Sequence, residues 1–165
     1  MDVRYINPFI EAVQNLFKTM LSTGITVNKP QLKGKDTPLC DITAIIGFSG
    51  DATGSAALCF ANEAAVAIAG KFAGAELSVD DPDFADALGE LANMVAGQAK
   101  SKIHDMNISI SLPQVIAGAN QRILKSGHNP VLVLPCDSPL GRFTIEVAMV
   151  MEKTASPSAP NAASV

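Results

Sequence analysis

Apolar side chains recur at Ile6, Phe9, Ile10, Val13, Leu16, Phe17, Met20 and Leu21. That i, i+3, i+4 spacing is the stripe of an amphipathic helix laid against a sheet. Asn7 stands where a cap belongs, Pro8 suits the first helical position, and Gly24 marks the expected stop. The period then changes. "ITVNKPQLK" reads as a weak strand broken near Pro30, and "CDITAIIGFSGDATGSAALCFA" as a hairpin turning at Gly50-Asp51. Asn62 is placed to cap an alanine-rich helix reaching about Phe72, apolar nearly all round and so expected to be buried. "DDPDF" opens a longer helix, 83–104, with acidic residues and a proline where the helix dipole favours them.

Three further strands are expected after it. Ile108, Ile110 and Leu112 alternate with polar residues, and "PVLVLP" is a continuous apolar run. Phe143, Ile145, Val147, Met149 and Met151 then alternate with Thr144, Glu146, Ala148 and Val150. The second set turns apolar at its end, which predicts a cover over that face of the sheet. The order helix, three strands, two helices, three strands indicates an α+β fold. A largely antiparallel sheet carries helices on one face, in two similar halves. Residues 1–152 form one domain. The Pro/Ser-rich end, 153–165, has too little to bury and is expected to be a disordered tail.

Composition narrows the function more than the fold. The net charge is −4, and no stripe of Lys and Arg exists to neutralise phosphates, which argues against nucleic acid. Cys40, Cys59 and Cys136 are scattered, with no CxxC or Cys/His ligand spacing, so a reduced cytoplasmic setting is expected. "MDVRYINPF" lacks the basic and apolar regions of a signal peptide, and no apolar run is long enough to span a bilayer. The glycines of the hairpin lack the GK[ST] that a phosphate-binding loop needs, and Gly70-Lys71 is followed by Phe72. They read as turn and bulge positions.

The chemistry concentrates in "GELANMVAGQAK", residues 89–100. On a helical wheel Phe84, Leu88, Leu91, Ala92, Val95, Ala99 and Ile103 share one side; Asp86, Glu90, Asn93, Gly97 and Lys100 share the other. Glu90 and Asn93 are neighbours across one turn, so one target can meet both head groups. Gly89 and Gly97 interrupt a helix at a cost of roughly 1 kcal/mol each against alanine, and a flat surface for another backbone would explain them. No histidine joins the pair, since His104 ends the helix and His128 lies in a loop. Neither a nucleophilic triad nor a metal cluster can be assembled. One carboxylate and one amide are half an active site, and a second molecule must bring the rest. Phosphoryl transfer runs on positioning and electrostatics, and an aspartyl phosphate is already activated. A hundredfold acceleration then needs only about 2.7 kcal/mol.

This segment resembles the E-x-x-N signature of the CheC/CheX/FliY chemotaxis phosphatases. "YINPFIEAVQNLFKTML" is similar to the opening helix of the CheX branch, "IIGFSGDATGSAALCFA" to its glycine-rich hairpin, and "ISLPQVIAG" to the strand after its active helix. The resemblance implies hydrolysis of the aspartyl phosphate on a CheY-like response regulator. Glu90 would engage the regulator's active-site lysine and Asn93 would orient the in-line water. Asp86, Gly89, Gly97 and Lys100 would line the contact face. The magnesium ion would be the regulator's, with no cofactor of the chain's own. CheC-like members hold a second E-x-x-N in the first helix; here Glu11 is followed by Gln14, which favours the single-site type. A homodimer through the sheet is implied as well, consistent with the apolar end of the last strand. A non-catalytic module docking a regulator or a flagellar or signalling partner on the same face stays open at this point. So does a purely structural dimer.

Overall fold

The structure, a computed structural model, describes residues 3–124 and 127–151. A short 3-10 turn, Val3–Tyr5, leads into α1 (Asn7–Met20). Two short strands, β1 (Thr26–Val27) and β2 (Gln31–Leu32), precede the long hairpin of β3 (Cys40–Gly50) and β4 (Ala52–Phe60). Helices α2 (Asn62–Ala73) and α3 (Pro82–Ser101) follow. The chain then forms β5 (Ile108–Ile110), β6 (Gln114–Gln121), β7 (Leu132–Ser138) and β8 (Gly141–Met151). The expected tail, 153–165, lies outside the described residues.

All strand pairings among the described residues are antiparallel. The sheet order is β1-β7-β8-β4-β3-β5, with β2 also on β7 and β6 also on β3. The two long hairpins meet at β4 and β8 in the centre. The short strands of each half pair with the long hairpin of the other half. The halves expected from element order are therefore interlocked by exchange of their small strands, which makes one sheet out of two units.

One face of this sheet holds the main core. Rows of side chains cross the strands in register: Ile42, Phe60, Phe143 and Cys136 form one, and Ala44, Leu58, Ile145 and Leu134 the next. Phe9, Val13, Leu16 and Phe17 of α1 and Phe84, Leu88, Leu91 and Val95 of α3 close over them, all essentially without exposure. Phe17 stacks on Phe143 at 5.2 Å between ring centroids, anchoring α1 to the centre of the sheet.

The termini of the helices depart from the sequence reading. Asn7 is the first helical residue, and Ile6 takes the cap position without a side-chain hydrogen bond. The helix stops at Met20, because Ser22 enters the left-handed region (φ 50°) two residues before Gly24. At α2 the cap position belongs to Ala61, and the Asn62 side chain does not cap. The Asn62 N–H instead donates to the Asp41 carboxylate at 3.1 Å, a cap delivered from β3 that no local pattern shows. Only one face of α2 is buried, through Ala64, Ala65, Ile68 and Ala69. Its small residues let it sit close to the sheet without being enclosed.

The strand count also needs correction. β6 breaks the expected set of three late strands, because its side chains are mostly exposed and show no alternation to read. Gly50 has φ +102° at the hairpin turn, as its expected turn role requires. Gly54 has φ +143°, and a Cβ there would fall 1.9 Å from the Ala148 carbonyl oxygen, so the β4–β8 seam requires glycine.

The expected cover over the second face comes from the chain itself. Ile123, just after β6, packs with Ile45 against Ala57, Cys40 and Cys59 on that face, and with Leu124 and Val131 it lines a small cavity bordered by Ser55 and Ala148. Ala148 is only 4% exposed. Lys33 reaches this segment. Its Nζ donates to the Ile123 carbonyl at 2.6 Å and to Glu146 Oε2 at 2.5 Å.

Candidate active site

Helix α3 begins at Pro82, whose fixed φ and missing N–H suit the first helical turn. Asp81 precedes it, but its carboxylate turns back to accept from the Ser78 N–H and hydroxyl. Those two bonds hold the Asp81 pKa below the usual carboxylate range. The helix ends at Ser101, three residues before the expected boundary, although Ile103 stays buried beneath it. Its buried side carries the apolar residues expected from the wheel.

The other side presents the candidate residues. Glu90, Asp86 and Lys100 are exposed, while Asn93 and Gly97 are half-buried. Glu90 and Asn93 stand one turn apart, about 4.5 Å along the helix axis. Among the described residues no hydrogen bond or ion pair takes up the Glu90 carboxylate or the Asn93 amide. The partial burial of Asn93 narrows the directions its short side chain can take, whereas Glu90 is exposed.

Helix α1 packs beside α3 in antiparallel register. Lys102 Nζ donates to Glu11 Oε2 at 2.5 Å, and Asn15 Nδ2 to Gln98 Oε1 at 3.0 Å. Continuing that register brings Met20, at the exposed end of α1, level with Asn93. The same contacts bear on Glu11 and Gln14, the counterpart of the motif. Glu11 is engaged by Lys102, and the longer Gln14 replaces asparagine, so α1 offers no second free carboxylate–amide pair of this kind.

A depression of about 460 Å3 borders Glu90, lined by Ala85, Asp86, Gly89, Glu90, Pro113 and Val115. It corrects the reading of Gly89. That glycine is buried, and its Cβ position lies 3.4 Å from Pro113, so the close approach it permits is made by the chain's own loop into β6. Gly97 fits its expected role better, because a Cβ there would meet nothing within 4 Å. Pro113 and Val115 join the rim without any signal in periodicity, since β6 does not alternate. Asp83, Asp86 and Glu90, with Asp80 in the turn before them, make the first half of α3 and its approach acidic, which suits a cationic group on a partner. Among the described residues no group of three or more His, Cys, Asp and Glu side chains can hold a metal ion.

Residues 42–137, more than half of the chain, match the family described as chemotaxis phosphatase CheX. The chain belongs to the CheX family. The CheY-P phosphatase CheX of Thermotoga maritima is 28% identical to it over 138 residues, covering 82% of this chain and 88% of that one. A CheC-like superfamily protein from Shewanella sp. PV-4 superposes with a TM-score of 0.82 at 30% identity, covering 91% of this chain and 99% of the other. The CheX of Borrelia burgdorferi, solved as a CheX–CheY–BeF3–Mg2+ complex, gives 0.73 at 26% identity over 88% of this chain and 97% of that one. These solved relatives match the α+β architecture over about nine-tenths of the chain.

Proposed function

We propose that this chain is a response-regulator phosphatase that hydrolyses the aspartyl phosphate of a CheY-like protein. The observation that carries the reading is the uncommitted Glu90–Asn93 pair on the exposed side of α3, in a chain of the CheX family. The relative named as a CheY-P phosphatase and the neighbour crystallised with CheY support the substrate class. Glu90 docks on a lysine of the regulator, and Asn93 enters beside the phosphoryl group and aligns a water molecule. The water attacks phosphorus, the bond to the aspartate oxygen breaks, and inorganic phosphate and a free carboxylate leave. The magnesium ion belongs to the regulator, in keeping with the Mg2+ of the CheX–CheY complex. Asp86, Gly97 and Lys100 contribute to the contact face, and Gly89 forms the floor of its rim. The same reading sets the chain in the cytoplasm, beside the regulator. Among the described residues, no helix is long and apolar enough to cross a membrane.

The decisive experiment follows decay of a phosphorylated CheY-like regulator with and without this chain at fixed Mg2+. Acceleration supports the reading, and an unchanged decay rate rejects it.

Gly97→Leu is expected to block the regulator while leaving the fold intact. Leucine favours the helix over glycine by up to about 1 kcal/mol, and the site has room for its Cβ. The added bulk stands where a partner backbone must approach. Wild-type affinity in the variant would move the contact face elsewhere.

We also propose a homodimer, on different grounds from the sequence argument. The strands of "PVLVLP" and Ala148 are covered within one chain, with Val133, Leu134 and Ala148 all buried, so they supply no dimer surface. The longest strand with an unpaired edge is β6, which among the described residues pairs only with β3 and leaves Ile116 47% exposed. An uncovered edge strand readily pairs with a second copy and extends the sheet. Light scattering at tens of micromolar is expected to give twice the monomer mass; a monomer there ends the idea.

A further inference from the structure

Away from α3, on the opposite face of the sheet, two cysteines lie close together at the end where β3 begins. The β3–β6 register shifts between Cys40 and Ile42, so Asp41 occupies a bulge. The bulge turns Cys40 onto the same face as Thr43, and Thr43 is the cross-strand partner of Cys59. Cys40 Sγ lies 3.3 Å from Thr43 Oγ1, and Cys40 and Cys59 pack together with Ala57 in a small buried cluster. Both cysteines line a cavity of about 500 Å3 bounded also by Pro38, Leu39 and Asn28. Both are free thiols.

We infer that Cys40 and Cys59 are a redox-active thiol pair, which a hydroperoxide entering this cavity oxidises to an intramolecular disulfide. Cys40 is the reacting sulfur. A hydrogen bond from the Cys59 thiol holds its pKa below the usual thiol range, against the opposing effect of burial; Thr43 and Lys33 lower it further and the Glu146 carboxylate raises it. Cys59 is pushed the other way by that same bond and by burial. The Cys40 thiolate attacks one peroxide oxygen, the O–O bond breaks, and hydroxide or alkoxide leaves with the electron pair. Cys40 is then a sulfenic acid. The Cys59 sulfur attacks the Cys40 sulfur, the S–O bond breaks, and water departs with the Cys59 proton. Two electrons pass from the pair to the peroxide. Cys136 borders the same cavity, but burial pushes its thiol up to about 12, and its Sγ turns back to the Leu134 carbonyl. It is expected to stay reduced.

The test treats the full chain with hydrogen peroxide, then unfolds, alkylates and digests it with trypsin. Cys40 and Cys59 fall on one peptide, 36–71, and Cys136 on another, 126–142. Peptide 36–71 is expected to lose two hydrogens, refuse alkylation at both cysteines and regain both after reduction, while Cys136 is alkylated throughout. In Cys59→Ser the sulfenic acid has no resolving thiol, so dimedone is expected to label Cys40. Full alkylation of peptide 36–71 after peroxide, or oxidation of Cys136 ahead of it, overturns the inference. So does a Cys59→Ser chain with no dimedone adduct on Cys40.

Discussion

Asn93→Ala is expected to lower the maximal rate of regulator dephosphorylation by about a hundredfold, equivalent to roughly 2.7 kcal/mol of transition-state stabilisation. The amide aligns water only as the phosphoryl group transfers, so its loss falls on the rate at saturation and little on affinity. Glu90→Ala is expected to fail differently, with weaker regulator binding and a smaller loss of rate, because its exposed carboxylate acts in docking. Glu90 is exposed and Asn93 half-buried, and neither has a hydrogen-bond or ion-pair partner among the described residues, so neither substitution breaks a polar contact there. Single-turnover phosphate release over a range of concentrations of each variant separates the two effects. Full rate at saturation from Asn93→Ala rejects the water-positioning role and leaves a docking module.

Lys33→Met is expected to cost about 3–5 kcal/mol of stability, the range for a buried ion pair that loses one partner. Lys33 and Glu146 are 13% and 6% exposed, and Glu146 stands in a row between Ala57 and Val133 that offers it no other cation. The same lysine bonds the Ile123 carbonyl, so its removal also releases that segment from the face it covers. The double variant Lys33→Met, Glu146→Leu is expected to recover most of the loss, since an apolar pair of similar volume leaves no charge buried. Urea unfolding at constant slope measures both. A cost below about 1 kcal/mol in the single variant means that water reaches Glu146 and the pair behaves as a surface one.

The extent to which this protein could be read from its sequence follows the range of the interactions involved. The stripe of α1, the alternation of β8 and the two sides of α3 are local periodicities, and the side chains fall on the faces their spacing assigns, apart from Met20, which is 48% exposed at the end of α1, and Gly89, which is buried. Glu90 and Asn93 were legible for the same reason, as three residues of helix put them together whatever surrounds them. Resemblance supplied what periodicity cannot, the chemistry that the pair serves. Non-local features were not legible. The cap on α2 comes from Asp41, 21 residues earlier, and β6 has no alternation because both its faces are largely exposed. Gly89 could be placed on the wheel but not under Pro113, which folds back only in three dimensions. Ala148 correctly signalled a covered face, yet spacing could not say whether a second chain or the segment at Ile123 provides the cover. The thiol pair is the clearest case. Cys40 and Cys59 are 19 residues apart and would face opposite sides of an unbroken hairpin. A single bulge at Asp41 turns one toward the other, and only the paired sheet reveals it.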